Sequence, residues 1–334
     1  MKNFLGNTAN DVWKEAATYL NLSNETSEHS SRIGDTLEIL GASFSIVDPR
    51  QRWVASRLPA INPSFALAEV IWILNGSQEA KILNHWNPAL PKFAGSRKYY
   101  HGAYGYRLKE QFGINQIERA YHALKNNQES RQVVLQLWDA QKDMPDTAGS
   151  PVAEDIPCNI VSMLNIRNGK LEWMQILRSN DLFLGTPYNF VQFTSVQEII
   201  AGWLELEPGK YCHVANSLHC YKKDIKNLLS FDEIACEQNN DNLAIPKEES
   251  EKLTREIFNK MKLMADESIS KKYFENLINL EAEHSAFNNI LFLLGADSAR
   301  RRGWNSITKL VMKKNTNPVY NQLWERWEKR ISVR

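Results

Sequence analysis

No apolar run in this chain of 334 residues reaches the ~18–20 residues that a membrane-crossing helix needs, so no membrane association is expected. An excess of one charge is also missing. With 40 basic and 39 acidic residues the formal net charge is +1, which argues against a general electrostatic grip on nucleic acid or anionic lipid. It leaves room for a local basic pocket that holds one phosphate. Cysteine is scarce: Cys158, Cys212, Cys220 and Cys236 include no C-x-x-C pair, which weakens zinc and dithiol readings, and no metal site is predicted. The N-terminus, "MKNFLGNTANDVWKEAATYL", lacks an apolar signal core and carries acidic residues. The protein is therefore expected in the cytoplasm, with its thiols reduced. Internal repeats and low-complexity tracts are absent too. What is present is a hydrophobic fraction of 43%, enough for a substantial core.

Three zones follow along the chain. The first, about 1–130, reads as helices and loops. In it "ALAEVIWIL" (66–74) has the density of a buried helix, ends at the turn signal "NGS", and holds one acidic residue, Glu69. "GINQIERAYHALKNNQ" (113–128) predicts an amphipathic helix with Ile114, Ile117, Tyr121 and Leu124 at helical spacing. The second zone, about 130–225, is strand-like. "RQVVLQLWD" is β-branched and aromatic, and "NIVSMLNIRNGKLEWMQILRSND" predicts an antiparallel hairpin turning at Asn168-Gly169. "YNFVQFTSVQEIIAGWLEL" switches to helical period, with Phe190, Phe193, Val196, Ile200 and Trp203 or Leu204 on one face. "HVANSLHCYKKD" predicts a further short strand. The third zone, about 237–334, opens on a polar bridge and continues as "LTREIFNKMKLMADE", "KKYFENLINLEAEHSAFNNILFLLG" and "NPVYNQLWERWEKR", all helical in pattern. The division expected is a catalytic domain over 1–235 and a helical C-terminal region over 236–334, packed on that domain.

Chemistry concentrates in the second zone. Pro157 blocks helix before Cys158, so the thiol sits where a strand begins. The predicted hairpin brings Arg178 beside it, and a neighbouring guanidinium favours thiolate. Against this stands the reading of Cys158 as a small packed hydrophobe. "LRSNDLFLGTPYNF" adds a hydroxyl (Ser179), a carboxylate (Asp181), Gly185 and an amide (Asn189) within twelve residues of Arg178.

In order along the chain, "SRIGDTLEILG", "ALAEVIWILNG", "GAYGYRL", "SRQVVLQLWD", "IPCNI", "GKLEWMQILRSNDLFLGTPYNFVQFTSVQEIIAG" and "SLHCY" resemble the thymidylate synthase family, which includes pyrimidine-nucleotide hydroxymethylases. The likeness covers about residues 30–225. It implies an α/β (α+β) fold with a large mixed or antiparallel sheet and packed helices, dimerising through the sheet. It also implies transfer of a one-carbon unit from 5,10-methylenetetrahydrofolate to C5 of a pyrimidine nucleoside monophosphate. Cys158 is then the nucleophile at C6, Glu69 the general acid–base group with a pKa raised by burial, and Tyr104 a neighbour of the thiol and of the departing C5 proton. Arg32, Arg131, Arg178 and Ser179 match phosphate-binding positions, with Arg131 supplied across a homodimer interface. Asn189 matches the amide that reads the base and favours uracil over cytosine. His219 and Tyr221 match the pair at the sugar 3′-hydroxyl. On the folate side stand Asp181, Leu184, Gly185 and Tyr188, with Trp86 shielding the reacting carbon.

Three departures from that family stand out. The residue after the nucleophile, usually histidine, is Asn159, and the second of the paired arginines is Gln132. The third zone does not resemble the family's C-terminus, and "WEKRISVR" makes a poor apolar lid over folate. A lid that excludes water leads to a methyl group, whereas admitted water leads to a hydroxymethyl group. The first expectation is dUMP methylation. C5 hydroxymethylation of dUMP, dCMP or CMP is the alternative, and a catalytically silent nucleotide-binding homologue the second.

Overall fold

The computed structural model describes residues 1–31, 34–280 and 282–332. Its centre is a seven-stranded sheet. The strands are β1 (Lys2–Gly6), β2 (Ser27–Ser31), β3 (Gly34–Ile46), β4 (Val134–Gln136), β5 (Asn159–Arg167), β6 (Lys170–Asp181) and β7 (Glu207–Tyr221). In space they run β1-β3-β7-β6-β5-β4, with β2 folded back on β3. The sheet is mixed as expected: β1 with β3 and β6 with β7 are parallel, and the other pairs antiparallel.

The β5–β6 hairpin turns where the sequence says it should. Asn168 and Gly169 take φ of 52° and 70°, the two left-handed residues of a tight two-residue turn, and Arg167 pairs with Lys170. Parallel β6 and β7 need a crossover, which is supplied by helix Thr186–Trp203. In chain order the main helices are α1 (Ala9–Leu22), α2 (Pro63–Leu74), α3 (Ala80–Trp86), α4 (Gln116–Asn126), α5 (Thr186–Trp203), α6 (Lys247–Met264), α7 (Ser285–Arg301), α8 (Asn305–Met312) and α9 (Pro318–Ser332).

Helix α5 was expected to show one apolar face, yet almost every residue of it is buried. It lies between the sheet and a second layer of helices, so its polar side as well as its apolar side is enclosed. Polar groups find partners there: Gln197 Nε2 donates to the Leu171 carbonyl at 2.8 Å, and Glu198 receives Arg52 and Arg50. Helix α2, capped by Asn62 and opened by Pro63, sits between α5 and the C-terminal helices. Ser64 Oγ donates to the Leu293 carbonyl at 2.9 Å and Asn75 Nδ2 to the Thr254 carbonyl at 3.2 Å, tying α2 to α7 and α6.

Other expectations shift. The first zone contributes strands β1 to β3 rather than only helices and loops, and the short strand expected near residue 213 is the second half of the 15-residue β7. Ile114 is exposed, because the helix begins after the Asn115 cap. The long helical pattern after residue 270 breaks into Lys271–Leu277 and α7, and α8 was not foreseen. Among the described residues, one face of the sheet carries no helix across its centre. There Ser43, Val214, Ile176 and Val161 form one cross-strand row and Ser45, Cys212, Met174 and Met163 the next, all of them partly or fully exposed.

Candidate active site

Cys158 sits half-buried immediately before β5. The antiparallel pairing brings Arg178 of β6 against it: the Arg178 backbone N–H donates to the Cys158 carbonyl at 2.9 Å. The guanidinium then wraps around the preceding turn. Its Nε donates to the Pro157 carbonyl and Nη2 to the Ile156 carbonyl, both at 3.0 Å, while its plane lies 5.7 Å from the Trp138 ring. Sequence reasoning expected the guanidinium to lower the thiol pKa. The structure corrects this: burial pushes the thiol up, and Arg178 only partly offsets it, with Asp155 and Asp181 adding to the rise. The free thiol is therefore held as S–H.

Glu69 projects from α2 toward Gln192, and one of its carboxyl oxygens is buried with no hydrogen-bond partner among the described residues. Burial raises its pKa to about 8, with Gln192 opposing and Asp155 reinforcing the rise. A glutamate so placed exchanges a proton near neutral pH. Tyr104 lies within electrostatic reach of Cys158, Asp155 and Glu69, and burial first, then the thiol, pushes its hydroxyl up. Its loop is pinned from both ends. Gly102 N–H donates to Asp155 Oδ2 at 2.9 Å, and Arg107 grips Asp143 with two bonds of 2.6 and 2.8 Å while donating to the His101 carbonyl. Asn159 is fully buried beside this group, its side-chain amide against the Tyr104 hydroxyl, where it partly opposes the rise of that hydroxyl's pKa.

Asn189, in the first turn of α5, accepts from Asn180 Nδ2 at 2.8 Å and donates to Gln192 Oε1 at 3.0 Å. It is joined to Glu69 through Gln192. Ser179 and His219 meet at 3.5 Å across β6 and β7, and the His219 and Tyr221 rings stand edge to face at 5.6 Å.

A second wall begins at Asp181. Its Oδ1 accepts from the N–H groups of Phe183 and Leu184 at 2.7 Å each, while Oδ2 is buried without a partner among the described residues, and burial raises its pKa. That free oxygen is a ready acceptor for the N–H groups of a pterin ring, so the residues present fit a folate. Leu184 and Gly185 continue the wall to Tyr188, whose hydroxyl accepts from Asn62 N–H at 3.0 Å and whose ring meets Phe65 at 5.3 Å. Trp86 is enclosed instead, with its indole N–H held by the Leu294 carbonyl at 3.2 Å. It touches this wall through its own carbonyl, which accepts from Asn62. Arg131 lies exposed before β4, and Arg32 falls outside the described residues.

Sequence reading missed several members. Arg57 is buried between Asp181 and Tyr188, donates to the Phe183 carbonyl at 2.8 Å and stacks 4.0 Å from the Phe183 ring; burial lowers its pKa to about 10. Asp155, Asn180, Gln192 and His213 also belong to the cluster. Asp155 alone had a visible signal, three residues before the thiol in "EDIPC".

A family model described as thymidylate synthase matches residues 23–273. A deoxyuridylate hydroxymethyltransferase from Pseudomonas phage M6 is 30% identical over 176 residues, covering 52% of this chain and 49% of that protein. One of the same name from Bacillus phage SP01 is 31% identical over 198 residues, 56% of this chain and 51% of that one. A thymidylate synthase from Clostridium beijerinckii is 29% identical over 172 residues, 49% of this chain and 59% of that one. The chain spans about half the length of the curated relatives it matches.

Proposed function

Because the chain belongs to the thymidylate synthase family, we propose that it transfers a one-carbon unit to C5 of dUMP through a Cys158 adduct and releases the 5-hydroxymethyl nucleotide. The observation that carries the transfer is the convergence of a thiol, an amide that complements uracil and a glutamate with a free carboxyl oxygen. Two relatives named deoxyuridylate hydroxymethyltransferase support the choice of product.

When bound, 5,10-methylenetetrahydrofolate supplies the one-carbon unit, and the Asp181–Tyr188 wall with Arg57 is where it would be held. Cys158 loses its proton as its sulfur bonds to C6 of the ring, which loads the electron pair onto C5 and O4. Arg178, fixed to the carbonyls before the thiol, keeps positive charge beside the forming thiolate. Asn189 holds the O4/N3 edge, and Glu69 moves protons there through Gln192 and water. Tyr104 faces the thiol, placed to accept the departing C5 proton through water. Water then adds to the methylene carried by C5, and expulsion of the Cys158 sulfur restores the ring. The sum is dUMP, methylenetetrahydrofolate and water giving 5-hydroxymethyl-dUMP and tetrahydrofolate. The buried amide of Asn159, against the Tyr104 hydroxyl, is a polar feature beside the thiol that suits holding that water. Dimerisation through the open apolar rows of the sheet would bring Arg131 of one subunit to the phosphate of the other. Four free thiols suit a reducing cytoplasm.

Methylation is the second reading, favoured by the thymidylate synthase relative. Tritium release from 5-tritiated dUMP with methylenetetrahydrofolate, with product mass read from the same tube, separates the two. A hydroxymethyl mass is expected. A methyl mass keeps the transferase and replaces the product. Tight dUMP binding with no release leaves a silent binding protein, and full release by Cys158→Ala overturns the adduct.

A further inference from the structure

Resting on the reading that Asn189 faces the base, we propose that Asn180 and Gln192 are positioning residues that lock the Asn189 amide in the orientation matching uracil, as links in a one-way chain of hydrogen bonds. The chain starts on β7, where the Tyr211 hydroxyl lies 3.1 Å from His213 Nδ1. His213 Nε2 lies 2.9 Å from Asn180 Oδ1 on β6. Asn180 Nδ2 donates to Asn189 Oδ1 at 2.8 Å, and Asn189 Nδ2 donates to Gln192 Oε1 at 3.0 Å on α5. Gln192 then bonds the Glu69 carboxyl on α2.

Each link constrains the next. Deeply buried His213 is neutral and carries one ring proton. With the Tyr211 hydroxyl given to Nδ1, that proton sits on Nε2 and points at Asn180 Oδ1. Thr186 Oγ1 lies 2.6 Å from the same oxygen and 3.0 Å from the Asp181 carbonyl, and its one hydrogen goes to the nearer acceptor, Asn180 Oδ1. Asn180 must then offer its NH₂ to Asn189, and Asn189 its own NH₂ to Gln192. An amide oxygen accepts two bonds and its nitrogen donates two, so Asn189 keeps one acceptor and one donor. These complement the N3–H and O4 of uracil. Cytosine presents the reverse pair, and reading it requires the amide to turn over. Turning it sets NH₂ against NH₂ at Asn180 and C=O against C=O at Gln192, inside a site where all three amides are buried.

Asn180→Asp tests the lock. A carboxylate still accepts from His213 and Thr186, yet it has no hydrogen to give Asn189 and draws that amide's NH₂ to itself. Calorimetry on the full chain gives Kd for dUMP and dCMP in wild type, Asn180→Asp and Asn180→Ala, with kcat and KM measured on both nucleotides. The wild-type preference for dUMP is expected to fall at least about tenfold in Asn180→Asp, the worth of one buried hydrogen bond, and by less in Asn180→Ala. If Asn180→Asp does not fold, the Asn180→Ala ratio decides. Folded variants that bind both nucleotides more weakly in equal measure overturn the lock, because a structural role moves both constants together. Wild-type protein that binds neither nucleotide, or shows no preference, overturns instead the reading of Asn189 on which the lock rests.

Discussion

Replacing Glu69 by glutamine should stabilise the protein in alkaline solution and leave it unchanged in acid. The carboxyl sits on α2 with one oxygen unpartnered, and burial has moved its pKa from 4.5 to about 8. Between those values the folded protein keeps a proton that the unfolded chain has released. Stability on this account is full below about pH 4.5, declines as pH rises to about 8, and is level above it. The gap from 4.5 to about 8, at about 1.4 kcal/mol per pH unit, sets an upper bound of about 5 kcal/mol. For 334 residues at about 2.1 cal/mol/K each, the unfolding entropy is about 0.7 kcal/mol/K, so the bound corresponds to about 7 °C in Tm. Glutamine has the shape of the protonated acid and no charge to bury. Thermal unfolding of both proteins at pH 5, 7 and 9 gives the test, with every other titration cancelling in the difference. The two midpoints should agree at pH 5 and separate by several degrees at pH 9, glutamine being higher. A difference that stays constant across pH, or a glutamine variant that melts lower at pH 9, refutes the reasoning.

Two further outcomes follow from the site's supports. In Gly105→Ala the new Cβ would lie 2.4 Å from the Ile73 carbonyl oxygen on α2, so the Tyr104 loop must shift; about 1–3 kcal/mol of stability should be lost, read by urea unfolding, together with kcat. Mixing Arg131→Ala with Cys158→Ala should restore the activity that each lacks, since one site in the mixed dimer has both groups; mixtures that stay inactive would show that Arg131 does not act across subunits.

What could be read from the sequence was local. The Asn168-Gly169 turn carries its own conformational requirement, so the hairpin, and with it the meeting of Cys158 and Arg178, is legible from the residues alone. Glu69 stands out because a lone acid in an apolar helix is anomalous. Asn180, Gln192 and His213 give no such signal. Asn180 stands in the polar run Arg178–Asp181, and Gln192 and His213 among apolar and aromatic neighbours, and only packing of β6, β7, α5 and α2 joins them into one chain. The burial of α5 is equally hidden, because its second side is covered chiefly by α2, from the first zone, with α6 beside it. The strands of the first zone escape notice because a mixed pattern such as "GDTLEILGASFSI" has no clean period until β7 pairs with it.

The β5–β6 hairpin is also a ruler. From its turn to the thiol runs a nine-residue strand, about 30 Å at about 3.3 Å per residue, and the two arms are counted off from that end, with one bulge between Asn159 and Val161 that sets Arg178 rather than Ser179 against Cys158. One residue inserted at Asn168-Gly169, at the opposite end of the hairpin from the chemistry, would slide one arm against the other and reverse the faces of its side chains. Cys158 would then lie opposite a neighbour of Arg178. Loops elsewhere in this protein can lengthen by evolution or by engineering; the length of this one is part of the reaction's geometry.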